Sequence, residues 1–337
     1  MNPFEELEVD IILSGKCCYC GACGAFCKYI HYENERPVAE NCEHCGVCYD
    51  VCPVNYFSES KAEIEIFGEK RKDDAIGYYR EILAGRATDE NIRSKAQDGG
   101  AVTAILTYLL ESGAIDSAVV TGRDESWNPK PIVAISKEDL LASTGSKYTQ
   151  CLVLLGVKDA IKMGKKSIAL VGLPCHVKAI RNAQMSGHSL GAEKVSVVLG
   201  LFCMETFSRD LLKHKLEEIG VKIEDVEKFD IKKGKLMAWV KGEVKTIPLK
   251  ELKDAVRTSC KFCNDFTAEF ADISFGSVGS DDGWSTIIIR SDRGEKIVKG
   301  AVDQGYLEVQ PITEKGIEAI RKLASRKKSC KVVYTQI

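Results

Sequence analysis

Two rhythms divide the chain. From about Ile76 onward, short apolar runs take turns with amphipathic stretches, which is how alternating strands and helices read in a sequence. GYYREILAGRA predicts a first strand. SKAQDGGAVTAILTYLLESGAI predicts an apolar-faced helix that starts after Gly99 and Gly100 and stops at Gly113. DSAVVTG and KPIVAIS read as strands, and SKEDLLAS as a short helix with Ser136 as N-cap and Asp139 closing its capping box. TGSKYTQ (144–150) leads into a helix through Met163. KSIALVGLP predicts a strand ending at Cys175, HVKAIRNAQ a helix, and KVSVVLGLFC a strand ending at Cys203. SRDLLKHKLEEIG predicts an amphipathic helix from Ser208 to Gly220, and residues 228–249 alternate and turn at glycine as hairpin strands do. GIEAIRKLASRKK predicts a basic helix with a solvated face. The whole pattern implies an α/β domain on a mixed sheet, where ligands gather at the carboxyl ends of strands.

Before residue 76 the rhythm is set by cysteine. Cys17, Cys20, Cys23 and Cys27 follow C-x2-C-x2-C-x3-C; Cys42, Cys45, Cys48 and Cys52 repeat it 25 residues later, and Pro53 follows. This is the bacterial ferredoxin spacing, in which the fourth cysteine of each run ligates the other cluster. Cys17, Cys20, Cys23 and Cys52 are therefore expected to hold one [4Fe–4S] cluster, and Cys42, Cys45, Cys48 and Cys27 a second. Glycines 21, 24 and 46 leave room for backbone N–H groups to approach the sulfides. Lys28 stands where the first run would carry proline. Zinc sites use two separated pairs of ligands, which fits a doubled run of four poorly. Cys18 is surplus and reads as a free thiol; His31 and His44 read as surface or outer residues. SESKAEIEIFGEKRKDDA (58–75) reads as a strand closing this unit and then a linker. The expected fold class is thus α+β followed by α/β: a small two-[4Fe–4S] ferredoxin-like domain at 1–62, a linker at 63–75, and a mixed-sheet α/β domain at 76–337.

Composition changes this picture little. Of 337 residues 45% are apolar and 28% charged, and the net charge of −2 gives no field that favours nucleic acid or an anionic membrane. MNPFEELEVD is acidic where an export signal is basic, and the longest apolar runs, 101–110 and 195–204, fall short of the ~20 residues that span a bilayer. A cytoplasmic location is expected, with any membrane connection made through a partner. An odd count of fifteen cysteines argues against a disulfide framework.

Four more cysteines carry candidate chemistry. Cys175 sits in GLPCH, Cys203 in GLFCM, and Cys260 and Cys263 form a C-x2-C. Each alone is ambiguous, because buried cysteine is common in cores and a lone C-x2-C is redox-active or zinc-binding as often. Together they supply four thiolates for a third iron–sulfur cluster. His176 competes as a ligand but reads as packed, and Cys151 and Cys330 lack partners. One-electron clusters need a cofactor that accepts two electrons and releases them singly, which flavin does and nicotinamide does not. No G-x-G-x-x-G is present. QDGGAVT places two glycines at a helix N-terminus, which suits a phosphate or a tight turn equally.

QDGGAVTAILTYLLESGAID, TGSKYTQ, VGLPCHVKAI, LFC, CKFCNDF and ADISFGSVGS resemble the beta-subunit family of coenzyme F420-reducing hydrogenase over about residues 76–290. With its leading ferredoxin unit the chain resembles one branch in particular, the input subunit of archaeal coenzyme F420 dehydrogenases; the front half of the coenzyme F420-dependent sulfite reductase is similar. The resemblance implies FAD held by Gly99, Gly100, Thr103, Ser146, Lys147 and Tyr148, and a [4Fe–4S] cluster beside it on Cys175, Cys203, Cys260 and Cys263. It implies hydride exchange between coenzyme F420 and FAD without a dedicated acid–base residue. Electrons would leave through the three clusters to a partner, either a membrane-bound dehydrogenase complex or a soluble ferredoxin. Lys147, Arg209 and Lys137 are the candidates for the acidic tail of the coenzyme. The alternatives are a reductase of another substrate in the same family, such as a chlorophyll side chain, an electron-transfer module without chemistry of its own, and a zinc protein.

Overall fold

In the computed structural model, residues 2–329 are described. The N-terminal part holds α1 (Pro3–Leu7), α2 (Ala22–Phe26), the hairpin β1 (Ile30–Glu33) and β2 (Arg36–Ala39), α3 (Val47–Asp50) and α4 (Glu59–Phe67). The remainder runs β3 (Glu81–Ala87), α5 (Glu90–Lys95), α6 (Ala101–Glu111), β4 (Ser117–Arg123), β5 (Pro129–Ala134), α7 (Lys137–Ala142), α8 (Val153–Lys162), β6 (Ile168–Gly172), α9 (Pro174–Met185), β7 (Val195–Leu201) and α10 (Arg209–Glu217). It continues with β8 (Lys228–Lys232), β9 (Lys235–Val240), β10 (Glu243–Pro248), β11 (Ile273–Gly276), β12 (Ser285–Ile289), α11 (Asp292–Asp303), β13 (Leu307–Pro311) and α12 (Glu314–Lys328).

Eight strands form one mixed sheet in the order β13-β3-β12-β11-β7-β6-β4-β5. Its middle, β11, β7, β6 and β4, is parallel, and these strands are almost continuously apolar because helices cover both faces. One face packs against α6 and α11 through Ala104, Ile105, Leu109, Val298 and Ala301. The other packs against α8 and α9 through Val153, Leu154, Val157, Val177 and Ile180. Strands β8, β9 and β10 form a separate antiparallel sheet, as the alternation over 228–249 predicts. It has a small core of its own with Trp127, Phe207, Leu212 and Phe229. The capping box of Ser136 and Asp139 on α7 is present.

The N-terminal part is not tethered loosely. Cys18, Cys20, Ala22, Ala25 and Val51 share the apolar cluster of α8 and α9. The Leu154 N–H donates to the Cys20 carbonyl at 3.1 Å, Lys158 Nζ to the Gly24 carbonyl at 2.7 Å, and Asn182 Nδ2 to the carbonyls of Cys52 and Tyr56 at 3.0 and 2.8 Å.

Several expectations are corrected. Residues 59–67 form a helix, not a strand. The E-I-E-I-F alternation is too short to outweigh Ser58, whose hydroxyl accepts the Lys61 N–H, and Gly68, which stops the helix at φ +75°. Its inward face is Ala62, Glu63, Ile66 and Phe67, while Ile64 stays 49% exposed. Strands β6 and β7 end at Gly172 and Leu201, short of the cysteines expected at their ends. Pro174 opens a helix as only a first-turn proline can, which puts Cys175 in the first turn of α9. The basic end of α12 is not a solvated face: Lys327 is 4% exposed and donates to the carbonyls of Met204 and Cys260, and Lys328 pairs with Glu269 at 2.9 Å. Within residues 63–75, the expected linker, Arg71 pairs with Glu59, Glu63 and Glu269, and Asp73 with Arg321.

Candidate functional site

A cavity of about 490 Å³ opens at the carboxyl ends of the parallel strands. Thr121 of β4, Gly172 of β6, Leu201 of β7 and Gly276 of β11 all line it, as the rule for open α/β sheets requires. Asp230 and Ile231 reach it from the small sheet. Five of the six residues singled out for FAD line its wall: Gly100, Thr103, Ser146, Lys147 and Tyr148. Gly100 is the N-cap of the eleven-residue helix α6, at φ +74°, and its unpaired N–H end faces a guest with the positive pole of the helix. Gly99 packs behind the wall. A Cβ there would sit 2.6 Å from the Gly85 carbonyl oxygen and 2.8 Å from the Ser285 nitrogen, so this glycine lets the loop close on the sheet.

The cavity is lined by the carboxylates of Asp98, Asp230 and Glu205, and by two residues whose buried donors have no partner in the protein. Gln97 Oε1 accepts the Ser146 N–H at 3.3 Å, which leaves its Nε2 buried and unpaired. His176 is 2% exposed and its Nε2 is likewise buried and unpaired. Burial pushes this imidazole down to about 3, so it is neutral. Two orphaned donors and a helix N-terminus fit a guest rich in acceptor atoms, which FAD is. Lys147 acts differently from a free cation. Its ammonium donates to the carbonyls of Ser143, Thr144 and Gly145 at 2.6, 2.9 and 2.8 Å, and burial, with Arg123 nearby, pulls it down to about 8. Arg209 and Lys137 are engaged elsewhere, with the Ser126 carbonyl and with Asp89 at 2.7 Å.

The cysteines fall into three groups. Cys17, Cys20, Cys23 and Cys52 lie within electrostatic reach of one another; Cys48 lies near Cys27, Cys42 and Cys45; Cys203 lies near Cys260, Cys175 and Cys263. The crossed pairing of Cys52 with the first run and Cys27 with the second is the one the ferredoxin spacing predicts. Burial, reinforced by neighbouring thiols, pushes Cys17 up to about 11 and Cys48 and Cys52 up to about 12. Among the described residues no three His, Cys, Asp or Glu side chains are grouped to hold a metal ion. Four thiolates on one tetrahedral zinc would lie about 3.8 Å apart; a four-iron cubane spreads its thiolates around a larger body.

The third group borders both neighbours. Cys203 and Met204 line the cavity. Cys175 lies against Cys18 and near Cys17. Cys18, read as a surplus thiol, is therefore a buried contact between two groups, touching Cys20 and Cys175. Thr206 donates its N–H to Cys260 Sγ at 3.3 Å. Cys175 occupies the second position of α9, where the helix dipole favours negative charge. Around the first group, the Gly24 N–H donates to Tyr32 Oη at 3.3 Å, and the same oxygen lies 3.1 Å from Cys23 Sγ. Gly24 is bare because a Cβ would sit 2.6 Å from the Tyr32 ring. His44 donates its N–H to Cys42 Sγ at 3.4 Å, and His31 contacts Glu33.

Sequence reasoning missed four residues: Gln97, Cys151, which lines the cavity, His176 and Lys327. Gln97 directly precedes the DGG loop and His176 directly follows Cys175, so their neighbours were the available signal. Cys330 lies outside the described residues.

Comparison with known proteins settles the family. Residues 82–158 match the N-terminal part of the coenzyme F420 hydrogenase/dehydrogenase beta-subunit family, and residues 165–315 match its C-terminal part. The chain belongs to this family. The coenzyme F420 hydrogenase beta chain of Methanothermobacter thermautotrophicus is 42% identical over 75% of this chain and 92% of its own length. A chain of the F(420)H(2) dehydrogenase of Methanosarcina mazei is 32% identical over 95% of this chain and 91% of its own; that match takes in the cysteine-rich front. Among solved structures, a chain of the F420-reducing [NiFe] hydrogenase complex from Methanosarcina barkeri superposes with a TM-score of 0.73 at 38% identity, covering 76% of this chain and 91% of that one. The large mixed sheet is thus the fold of that family. No helix among the described residues is long and apolar enough to cross a membrane.

Proposed function

We propose that the chain oxidises reduced coenzyme F420 by hydride transfer to FAD and passes the electrons singly through three [4Fe–4S] clusters to a partner protein. The observation that carries this reading is one shared wall: Cys203 borders both the cavity and the third cysteine group. Bound there, FAD supplies two-electron acceptance with one-electron release, and the clusters supply one-electron relay. The chain supplies position. The N-terminus of α6 at Gly100, with Thr103, Ser146 and Tyr148, would hold the cofactor. Phe202, Met204, Phe266 and Leu323 keep water from the wall. Cys175, Cys203, Cys260 and Cys263 would hold the proximal cluster; Cys17, Cys20, Cys23 and Cys52 the next; and Cys27, Cys42, Cys45 and Cys48 the last. Contact of Cys18 with both Cys175 and Cys20 supports that order, and Cys45 is exposed, which supports an exit to a partner at the last group. That partner is an electron-accepting protein, membrane-bound complex or soluble ferredoxin. In this reading residues 1–62 are the two-cluster unit, 63–75 the connection and 76–337 the flavin and proximal-cluster unit. Mixing the anaerobic, fully loaded protein with reduced coenzyme F420 is expected to bleach one FAD per chain; FAD that keeps its oxidised absorption overturns the hydride step.

Asp98, in the loop before α6, gives a pH signature. Burial, with Asp230 beside it, pushes its carboxyl up to about 6. A carboxyl raised in the folded chain stabilises it below its unfolded value, and that contribution is lost as pH rises through 6. The same ionisation places a negative charge near the N-terminus of α6. The affinity of the flavin-free chain for FAD is therefore expected to fall roughly threefold to tenfold between about pH 5 and 7. Asp98→Asn should flatten that profile in a fluorescence titration.

A further inference from the structure

We propose that His176 donates its Nε2–H to an acceptor atom on the isoalloxazine ring of the flavin, and thereby sets both the affinity and the potential of that ring. The inference rests on the FAD reading above and goes beyond it by naming a contact and a tautomer.

His176 is the third residue of α9, and its Nδ1 accepts the Leu173 N–H at 3.1 Å. A ring nitrogen that accepts a hydrogen bond carries no proton, so the one proton of the neutral imidazole sits on Nε2. That nitrogen is buried and meets no partner in the protein, and its residue lines the cavity wall. A buried donor left without an acceptor is rare and needs an explanation; a ligand atom is the one this wall offers.

The place along the cavity selects the ring over the rest of FAD. His176 adjoins Cys175 and packs against Gly172 of β6, which pairs with Gly200 of the neighbouring β7, the strand that leads to Cys203, so this is the end from which electrons would pass to the proximal thiolates. The phosphate-favouring N-terminus of α6 lies elsewhere: Gly99 packs on Gly85 of β3 and Ser285 of β12, strands that β11 and β7 separate from β6. A fixed neutral N–H suits a ring carbonyl or a pyridine-like ring nitrogen. Such a bond strengthens as negative charge builds on the ring, so it favours the reduced form.

The last residue of β6 secures the imidazole. A Cβ on Gly172 would sit 2.7 Å from the Cβ of His176, closer than such atoms approach. The seat exists because residue 172 is glycine, and Gly172→Ala moves the imidazole without removing it.

Three variants test the proposal. His176→Leu is expected to bind FAD on the order of tenfold more weakly. A tenfold greater loss for the reduced ring than for the oxidised one lowers the two-electron midpoint by about 30 mV. His176→Gln should stay within about threefold of wild type, because glutamine at this helix position can take the Leu173 N–H on its oxygen and still donate. Gly172→Ala should reproduce the direction of the leucine change. FAD affinity is read by fluorescence quenching in the flavin-free chain, the midpoint by anaerobic spectroelectrochemical titration, and thermal unfolding checks each fold. Wild-type affinity and midpoint in His176→Leu overturn the proposal, since Nε2 would then meet only water. If that variant does not fold, wild-type values in Gly172→Ala overturn it equally. A wild-type chain that takes up no FAD overturns the FAD reading itself, and this inference with it.

Discussion

Cys203→Ser is expected to lower the iron content of the anaerobically purified protein from about twelve atoms to about eight per chain, the loss of one four-iron cluster. The Cys203 thiol lies near Cys175, Cys260 and Cys263, and a serine oxygen is a poor substitute for a soft thiolate ligand. The substitution changes one atom on the cavity wall, so bleaching of FAD by reduced coenzyme F420 should stay within about threefold of wild type. Reduction of an external one-electron acceptor should fall on the order of 100-fold. Iron and acid-labile sulfide analysis gives the first result, and stopped-flow absorbance gives the other two. Cys151→Ser is the matched control: its sulfur also lines the cavity but stands outside the three groups, so iron should stay at about twelve. Full iron in the Cys203 variant would remove this residue from any cluster.

Arg71→Met is expected to destabilise the chain by about 3–5 kcal/mol, the cost of taking the guanidinium from the buried Glu63 and leaving the buried Glu269 to Lys328. One guanidinium reaches Glu59 at 2.8 Å, Glu63, and Glu269 at 3.1 Å. Glu63 and Glu269 are each 4% exposed. Glu59 and Glu63 belong to α4 and Glu269 to the loop before β11, so the ion network ties the cysteine-rich front to the sheet unit. Methionine keeps the stem and removes the charge. Urea denaturation of the loaded protein, followed by circular dichroism, measures the difference. A midpoint shift worth less than about 1 kcal/mol would mean that this network contributes no more than a surface pair.

Residues that act through spacing were legible one by one. The doubled C-x2-C-x2-C-x3-C run announces its crossed groups because a local loop delivers three neighbouring thiols and a turn sends away the fourth. Three strands of the parallel quartet, β4, β6 and β7, were legible because each is an apolar run bounded by turn signals; β11, only four residues long, was not read as a strand. Residues 59–67 were misread because a four-residue alternation fits strand and helix alike, and the tie was broken by Ser58 and Gly68 at the ends. The C-terminal helix was placed correctly but faced wrongly. Its lysines look solvated in the sequence, and only their partners, the carbonyls of Met204 and Cys260 and the carboxylate of Glu269, turn them inward.

By itself, then, the sequence determined the α/β class, the two local cysteine runs and the helix that begins at Gly100, because all three depend on residues close together along the chain. The tertiary structure alone decided that Cys175, Cys203, Cys260 and Cys263 meet, that Cys18 lies between two cysteine groups, and that His176 and Gln97, each with an unpaired buried donor, line one cavity. Those facts depend on which strand ends lie side by side in the sheet, and the order β11-β7-β6-β4 follows from packing among elements up to about 150 residues apart, which no local pattern encodes.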